Sequence, residues 1–162
     1  MIFVTLGTQK FQMNRLLKAV DKLAEAGNVK GDIFIQRGTS TYKPKHCEYV
    51  DFMDEKEYVE KIQNCSLLIT HAGVGTIITG IKADKPVIVV PRLSKFDEHV
   101  DDHQTEIAKA FSGKGSVLCC EDTDELINYI EKARTFDFQP YEVNGGNVED
   151  KILHFMNMFD EG

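Results

Sequence analysis

Short apolar runs, essentially free of charge, recur along the chain between longer amphipathic stretches, and this rhythm constrains the fold more than any other feature. The runs are "IFVTL" (2–6), "DIFIQ" (32–36), "SLLIT" (66–70), "PVIVV" (86–90) and "SVLCC" (116–120), with a shorter one in "CEYVDF" (47–52). Runs that do not alternate with polar residues are what parallel strands covered on both faces require. Between them lie helical stretches. In residues 12–26, Leu16, Leu17, Val20, Leu23 and Ala24 share one face, and further helices are expected over 54–63, 75–83, 101–111 and 123–134, the last with Asp122 as N-cap. The alternation predicts an α/β fold: an open, doubly wound, mostly parallel Rossmann-like sheet with right-handed crossovers.

At 162 residues the chain has the size of one ordinary domain, and 42% hydrophobic with 28% charged residues is the profile of a globular protein. A formal net charge of −7 argues against nucleic acid as a partner, which needs clustered Lys and Arg. No run approaches the roughly 18 to 20 apolar residues of a membrane span, and the start "MIFVTLGTQK" lacks a signal peptide's basic and apolar regions. A soluble, cytoplasmic protein is expected. Cys47, Cys65, Cys119 and Cys120 show no C-x-x-C spacing and read as reduced thiols. His99 and His103 are four apart but lack supporting ligands, so neither a metal nor a cofactor is expected. Beyond residues 1–140, Asn144-Gly-Gly-Asn147 breaks the chain before a last helix, making 141–162 a tail. Its stripe of Val148, Ile152, Phe155, Met156 and Phe159 must be covered, by the domain's own sheet or by a partner.

"ITHAGVGTIITG" (69–80) carries the chemistry, because it leaves the carboxyl end of a strand and enters a helix. In an open parallel sheet that is where ligands bind. Gly73 and Gly75 let a ligand approach the backbone, and the N–H groups of Val74, Gly75 and Thr76 at a helix start suit a phosphate. The stretch is no Walker A loop, since no Gly-Lys-Ser/Thr follows, and no G-x-G-x-x-G, since Ile78 stands three after Gly75. The next strand end opens into a second polar loop, 91–104, with Arg92, Glu98, His99, Asp101, His103 and Gln104. Two adjacent strand ends bearing ligand-type groups point to a binding site.

The segments "HAGVGT", "KPVIVVPR" and "EHVDDHQ" together resemble the C-terminal, nucleotide-sugar-binding half of family 28 glycosyltransferases, above all its small stand-alone subunits of the Alg13, PssE and EpsF types. The resemblance implies one Rossmann-like half of a GT-B enzyme that takes a UDP-sugar donor. It also implies a membrane-anchored partner of Alg14, PssD or EpsE type that binds a lipid-linked sugar acceptor. The chain would be the donor-site subunit of an inverting hexosyltransferase in polysaccharide or oligosaccharide assembly, capsule and exopolysaccharide included. It would lie at the inner face of the membrane through its partner, and a purely supportive, non-catalytic subunit is the alternative. By the same resemblance His71, Ala72, Gly73, Val74, Gly75 and Thr76 surround the diphosphate, and Arg92 lies close to the nucleotide. His103 and Gln104 reach the donor sugar, and Gly7 and Thr8 face the acceptor. Thr79 departs from the family, which places a ribose-holding Glu there. His99 and Glu98 are the candidates for the general base, unless the base lies on the partner.

Overall fold

The computed structural model describes residues 1–29 and 31–141. Six parallel strands, β1 (Ile2–Thr5), β2 (Ile33–Gln36), β3 (Glu48–Val50), β4 (Leu67–Thr70), β5 (Val87–Val89) and β6 (Leu118–Cys119), form one sheet in the order β3-β2-β1-β4-β5-β6. The strand order reverses between β1 and β4, and that switch point is where open α/β sheets take ligands. Thr5 of β1 stands in register with Thr70 of β4 and Gln36 of β2, so three polar side chains end the central strands side by side.

Strand side chains alternate between the two faces, and each face has its own core. Val4, Ile35, Ile69 and Ile88 pack with α1 (Asn14–Glu25) and α5 (Leu126–Ala133). Phe3, Leu68, Val87 and Val89 pack on the opposite face with α2 (Glu55–Asn64), α3 (Val74–Lys82) and α4 (His103–Ser112). Gly80 brings α3 onto the sheet: a Cβ there would stand 2.6 Å from Leu68 Cδ2 and 3.0 Å from Val87 Cγ2. The doubly wound parallel fold expected from the apolar rhythm is therefore the fold observed.

Two helices start later than expected. Residues 94–96 form a 3₁₀ turn that ends at Asp97 in the left-handed region (φ 57°). Asp102 Oδ1 then accepts the Ser94 N–H at 2.8 Å, Asp101 Oδ1 accepts the His103 N–H at 3.1 Å, and α4 begins only at His103. Asp122 does cap, accepting the Asp124 N–H at 2.9 Å, but it caps a 3₁₀ turn (123–125) that feeds α5. All four cysteines are free. The last helix expected after residue 147 lies outside the described residues.

Candidate functional site

A cleft of about 460 Å³ opens at the carboxyl ends of the strands, between the β1 loop, the β3–α2 loop and the start of α3. Gly7 and Thr8 line it from one side, Gly75, Thr76 and Thr79 from another, and Phe52, Met53, Glu55 and Tyr58 from the third. The α3 helix meets the cleft uncapped. Gly73 is its N-cap and has no side chain to offer, and the first helical bond runs from the Ile77 N–H to the Gly73 carbonyl at 3.0 Å. The N–H groups of Val74, Gly75 and Thr76 thus precede the helix ladder, at the positive end of its dipole. Nothing lies within 4 Å of a Cβ added to Gly75, so that backbone faces open space.

Polar groups fix the walls. Tyr58, whose hydroxyl is held protonated by burial, donates to Thr76 Oγ1 at 2.5 Å. Thr79 donates back to the Gly75 carbonyl at 2.8 Å, as a hydroxyl one helical turn on can. Gln36, buried at the end of β2, accepts from the Thr5 hydroxyl at 2.5 Å and donates to the Gly7 and Asp51 carbonyls at 3.1 and 2.8 Å. Gln36, Phe52, Met53, Glu55 and Tyr58 are cleft residues that sequence reasoning missed. For Gln36 the signal was there: a polar residue closing an apolar run.

Beneath the cleft lies a buried polar layer. His71 is 4% exposed, and its ring is flanked by bare glycine: a Cβ on Gly7 would come within 2.6 Å of Nε2, and one on Gly73 within 2.6 Å of Cε1. Burial, then the nearby Arg92 and His99 charges, hold the imidazole well below its ordinary value of 6.5. Arg92 is 1% exposed and does not reach the cleft as a free cation. Its guanidinium donates to the carbonyls of Leu6 (2.6 Å), Phe11 (2.9 Å), Gln12 (3.3 Å) and Glu98 (3.3 Å). Burial pushes its pKa down to about 10, which still leaves it charged at neutral pH. Gln104 is also buried, bonded to Ala72, Arg92 and His71.

The remaining candidates separate. Glu98 is 0% exposed and clasps Arg15 through two bonds of 3.0 Å while accepting the Leu93 N–H at 3.0 Å. It borders a groove along α1, not the cleft. That groove is larger, about 960 Å³, but its lining balances Arg15, Lys18, Lys22 and Lys45 with Asp21, Glu25, Glu98 and Asp124, so it offers no excess of Lys and Arg charge for an anion. His99 lies tilted by 37° against Phe11 with centroids 5.2 Å apart, and its Nδ1, 3.3 Å from Asp101 Oδ1, makes no hydrogen bond among the described residues. His103 is half exposed between Asp101 (3.7 Å) and Glu106 (3.4 Å).

Among curated proteins, the chain is 34% identical over 82 residues to the UDP-N-acetylglucosamine transferase subunit ALG13 of Candida albicans, covering 51% of this chain and 27% of that protein. It is 32% identical over 88 residues to the subunit of the same name from Saccharomyces cerevisiae, covering 54% of this chain and 42% of that protein. The chain thus spans less than half the length of these two relatives. The NMR solution structure of ALG13 superposes with a TM-score of 0.57 and 21% identity over 94% of both chains, a likeness of fold. Residues 1–155 match the model of the glycosyltransferase family 28 C-terminal domain, and the chain belongs to that family.

Proposed function

We propose that the cleft binds the uridine diphosphate of a UDP-sugar, and that the chain is the donor-site subunit of a two-component glycosyltransferase. The observation that carries this is the uncapped start of α3, which opens onto the cleft at the strand-switch point. Val74, Gly75 and Thr76 offer N–H donors to the diphosphate, and the half-exposed Phe52 and Met53 rim offers apolar surface to a base. Glu55 lines the same cleft as Thr79 and supplies a carboxylate for ribose hydroxyls where Thr79 has none. The names of the ALG13 relatives support UDP-N-acetylglucosamine as the donor.

In an inverting transfer, negative charge grows on the departing UDP while the acceptor hydroxyl loses a proton. Helix N–H groups fixed ahead of the reaction stabilise that charge without reorganising, and the buried Arg92 cation adds a favourable field from below. Of the two candidate bases, His99 is the less committed, since the Glu98 oxygens are taken by Arg15 and Leu93. The acceptor, lipid-linked, would be presented by a membrane-associated partner facing Gly7 and Thr8.

Calorimetric titration with UDP and UDP-N-acetylglucosamine tests the reading. Saturable binding of both is expected, and no heat of binding by the chain alone or with a reconstituted partner would sink it. A supportive, non-catalytic subunit is the second reading, favoured by the burial of Arg92, Glu98 and Gln104. Unchanged transfer by the reconstituted pair after Gly75→Val and His103→Ala would decide for it.

A further inference from the structure

Gln104 makes bonds whose polarity can be read without ambiguity. Its Oε1 accepts the main-chain N–H of Ala72 at 3.1 Å and that of Arg92 at 3.0 Å. Backbone N–H groups can only donate, so the amide oxygen must face them and the NH₂ must face the other way. On that side, Nε2 of Gln104 lies 3.2 Å from Nδ1 of His71. An NH₂ group cannot accept, so Nδ1 carries no proton. The single proton of the neutral ring is then on Nε2. That atom packs directly against the main chain of Gly7 and Gly73, where added Cβ atoms would come within 2.6 and 2.7 Å of it, and Gly7 itself lines the cleft.

We infer that Gln104 is a positioning residue: it locks His71 into the Nε2–H tautomer and so presents a neutral N–H donor to an oxygen of the donor's diphosphate. The identity of that oxygen rests on the proposed UDP-sugar site; the tautomer does not. Two charged or titratable groups act on His71, Arg92 at the end of β5 and His99 in the following loop, and both oppose its protonation, as burial does. The ring is therefore neutral at neutral pH, the state in which a choice of tautomer matters. Direct contact of Gln104 with a sugar would instead strip two buried main-chain N–H groups of their acceptor, at roughly 1–3 kcal/mol each.

Gln104→Glu tests this, because the shape is kept and the polarity toward His71 is reversed. Ionised, as the nearby Arg92 cation favours, the variant's carboxylate still accepts from Ala72 and Arg92 through one oxygen while the other can only accept, so Nδ1 must carry a proton. In the full chain with ¹⁵N-labelled histidine, NMR of wild type is expected to show His71 as the single Nε2–H tautomer, unchanged between about pH 6 and 8. The variant should show Nδ1–H or the doubly protonated ring. Affinity for UDP-N-acetylglucosamine should be flat over that range in wild type. In the variant it should be about tenfold or more weaker at the upper end, the worth of one charge-assisted hydrogen bond, and recover as acid protonates Nε2. A wild-type His71 protonated on Nδ1, a mixture of tautomers, or an unaltered His71 spectrum in Gln104→Glu overturns the inference, and the wild-type measurement needs no variant to fold. A locked tautomer in a chain that does not bind UDP-N-acetylglucosamine would uphold the role of Gln104 and overturn the diphosphate as the partner of Nε2.

Discussion

Gly73, Gly75 and Gly80 occupy one short stretch yet answer to different neighbours: the His71 ring, open space, and the Leu68 and Val87 side chains. Alanine substitution should separate them. Gly80→Ala forces a methyl against the sheet and is expected to cost roughly 1–3 kcal/mol in chemical denaturation, with UDP affinity per folded molecule unchanged. Gly75→Ala should leave stability unchanged or raised by a few tenths of a kcal/mol, since alanine is the better helix former, and should weaken UDP binding in calorimetry by crowding the anion. Equal destabilisation by both would contradict these assignments. The pattern G-x-G was legible in the sequence; the difference between its members was not, because it depends on which distant side chain lies opposite each Cα. His71, Arg92 and Gln104 show the same limit. Their polarity marked them as ligand groups, but a buried polar residue can be satisfied by main-chain carbonyls and N–H groups, which leave no trace in the sequence.

Strands and helices were read more reliably than side-chain roles, since burial on both faces of a parallel sheet dictates unbroken apolar runs such as "LLIT" and "VIV". The starts of α4 and α5 were missed where aspartates at 101, 102 and 122 bond to nearby N–H groups and hold short turns ahead of the helix. Between elements, the Arg15–Glu98 clasp ties α1 to the loop after β5, with Arg15 donating also to the Pro91 and Glu121 carbonyls at 3.2 and 2.7 Å. Removing one member of such a pair strands the other. Glu98→Ala is expected to cost about 3–5 kcal/mol in denaturant titration. A catalytic base would behave otherwise, with transfer lost and stability kept, so the same variant discriminates the two roles.

For the molecule as a whole, Phe52, Phe96 and Val100 are the large apolar side chains most exposed among the described residues, at 52%, 42% and 74%. All three sit on loops at the carboxyl ends of β3 and β5, the end that bears the cleft. Phe52 also rims the cleft, so the test uses the other two: changing Phe96 and Val100 to Ser should weaken capture of a reconstituted acceptor subunit in pull-down while leaving UDP titration intact, and undiminished capture would place the partner elsewhere. Global stability should also depend on acid. His71 folds with its pKa held well below the ordinary 6.5, so the unfolded chain takes up the proton first and stability falls as pH drops below that value. His71→Gln should flatten this part of the pH profile in thermal melts. Finally, the four carbonyls around Arg92 come from the strand-end loops after β1 and β5, residues far apart in sequence. Three of the four belong to the loop after β1, so opening that loop would leave the buried cation with the Glu98 carbonyl alone and should release the loop after β5, which carries Arg92, along with it. In hydrogen exchange, amides of residues 7–12 and 93–99 would then share one opening free energy, and the Gly7 wall of the cleft would breathe as a single unit with the loop after β5.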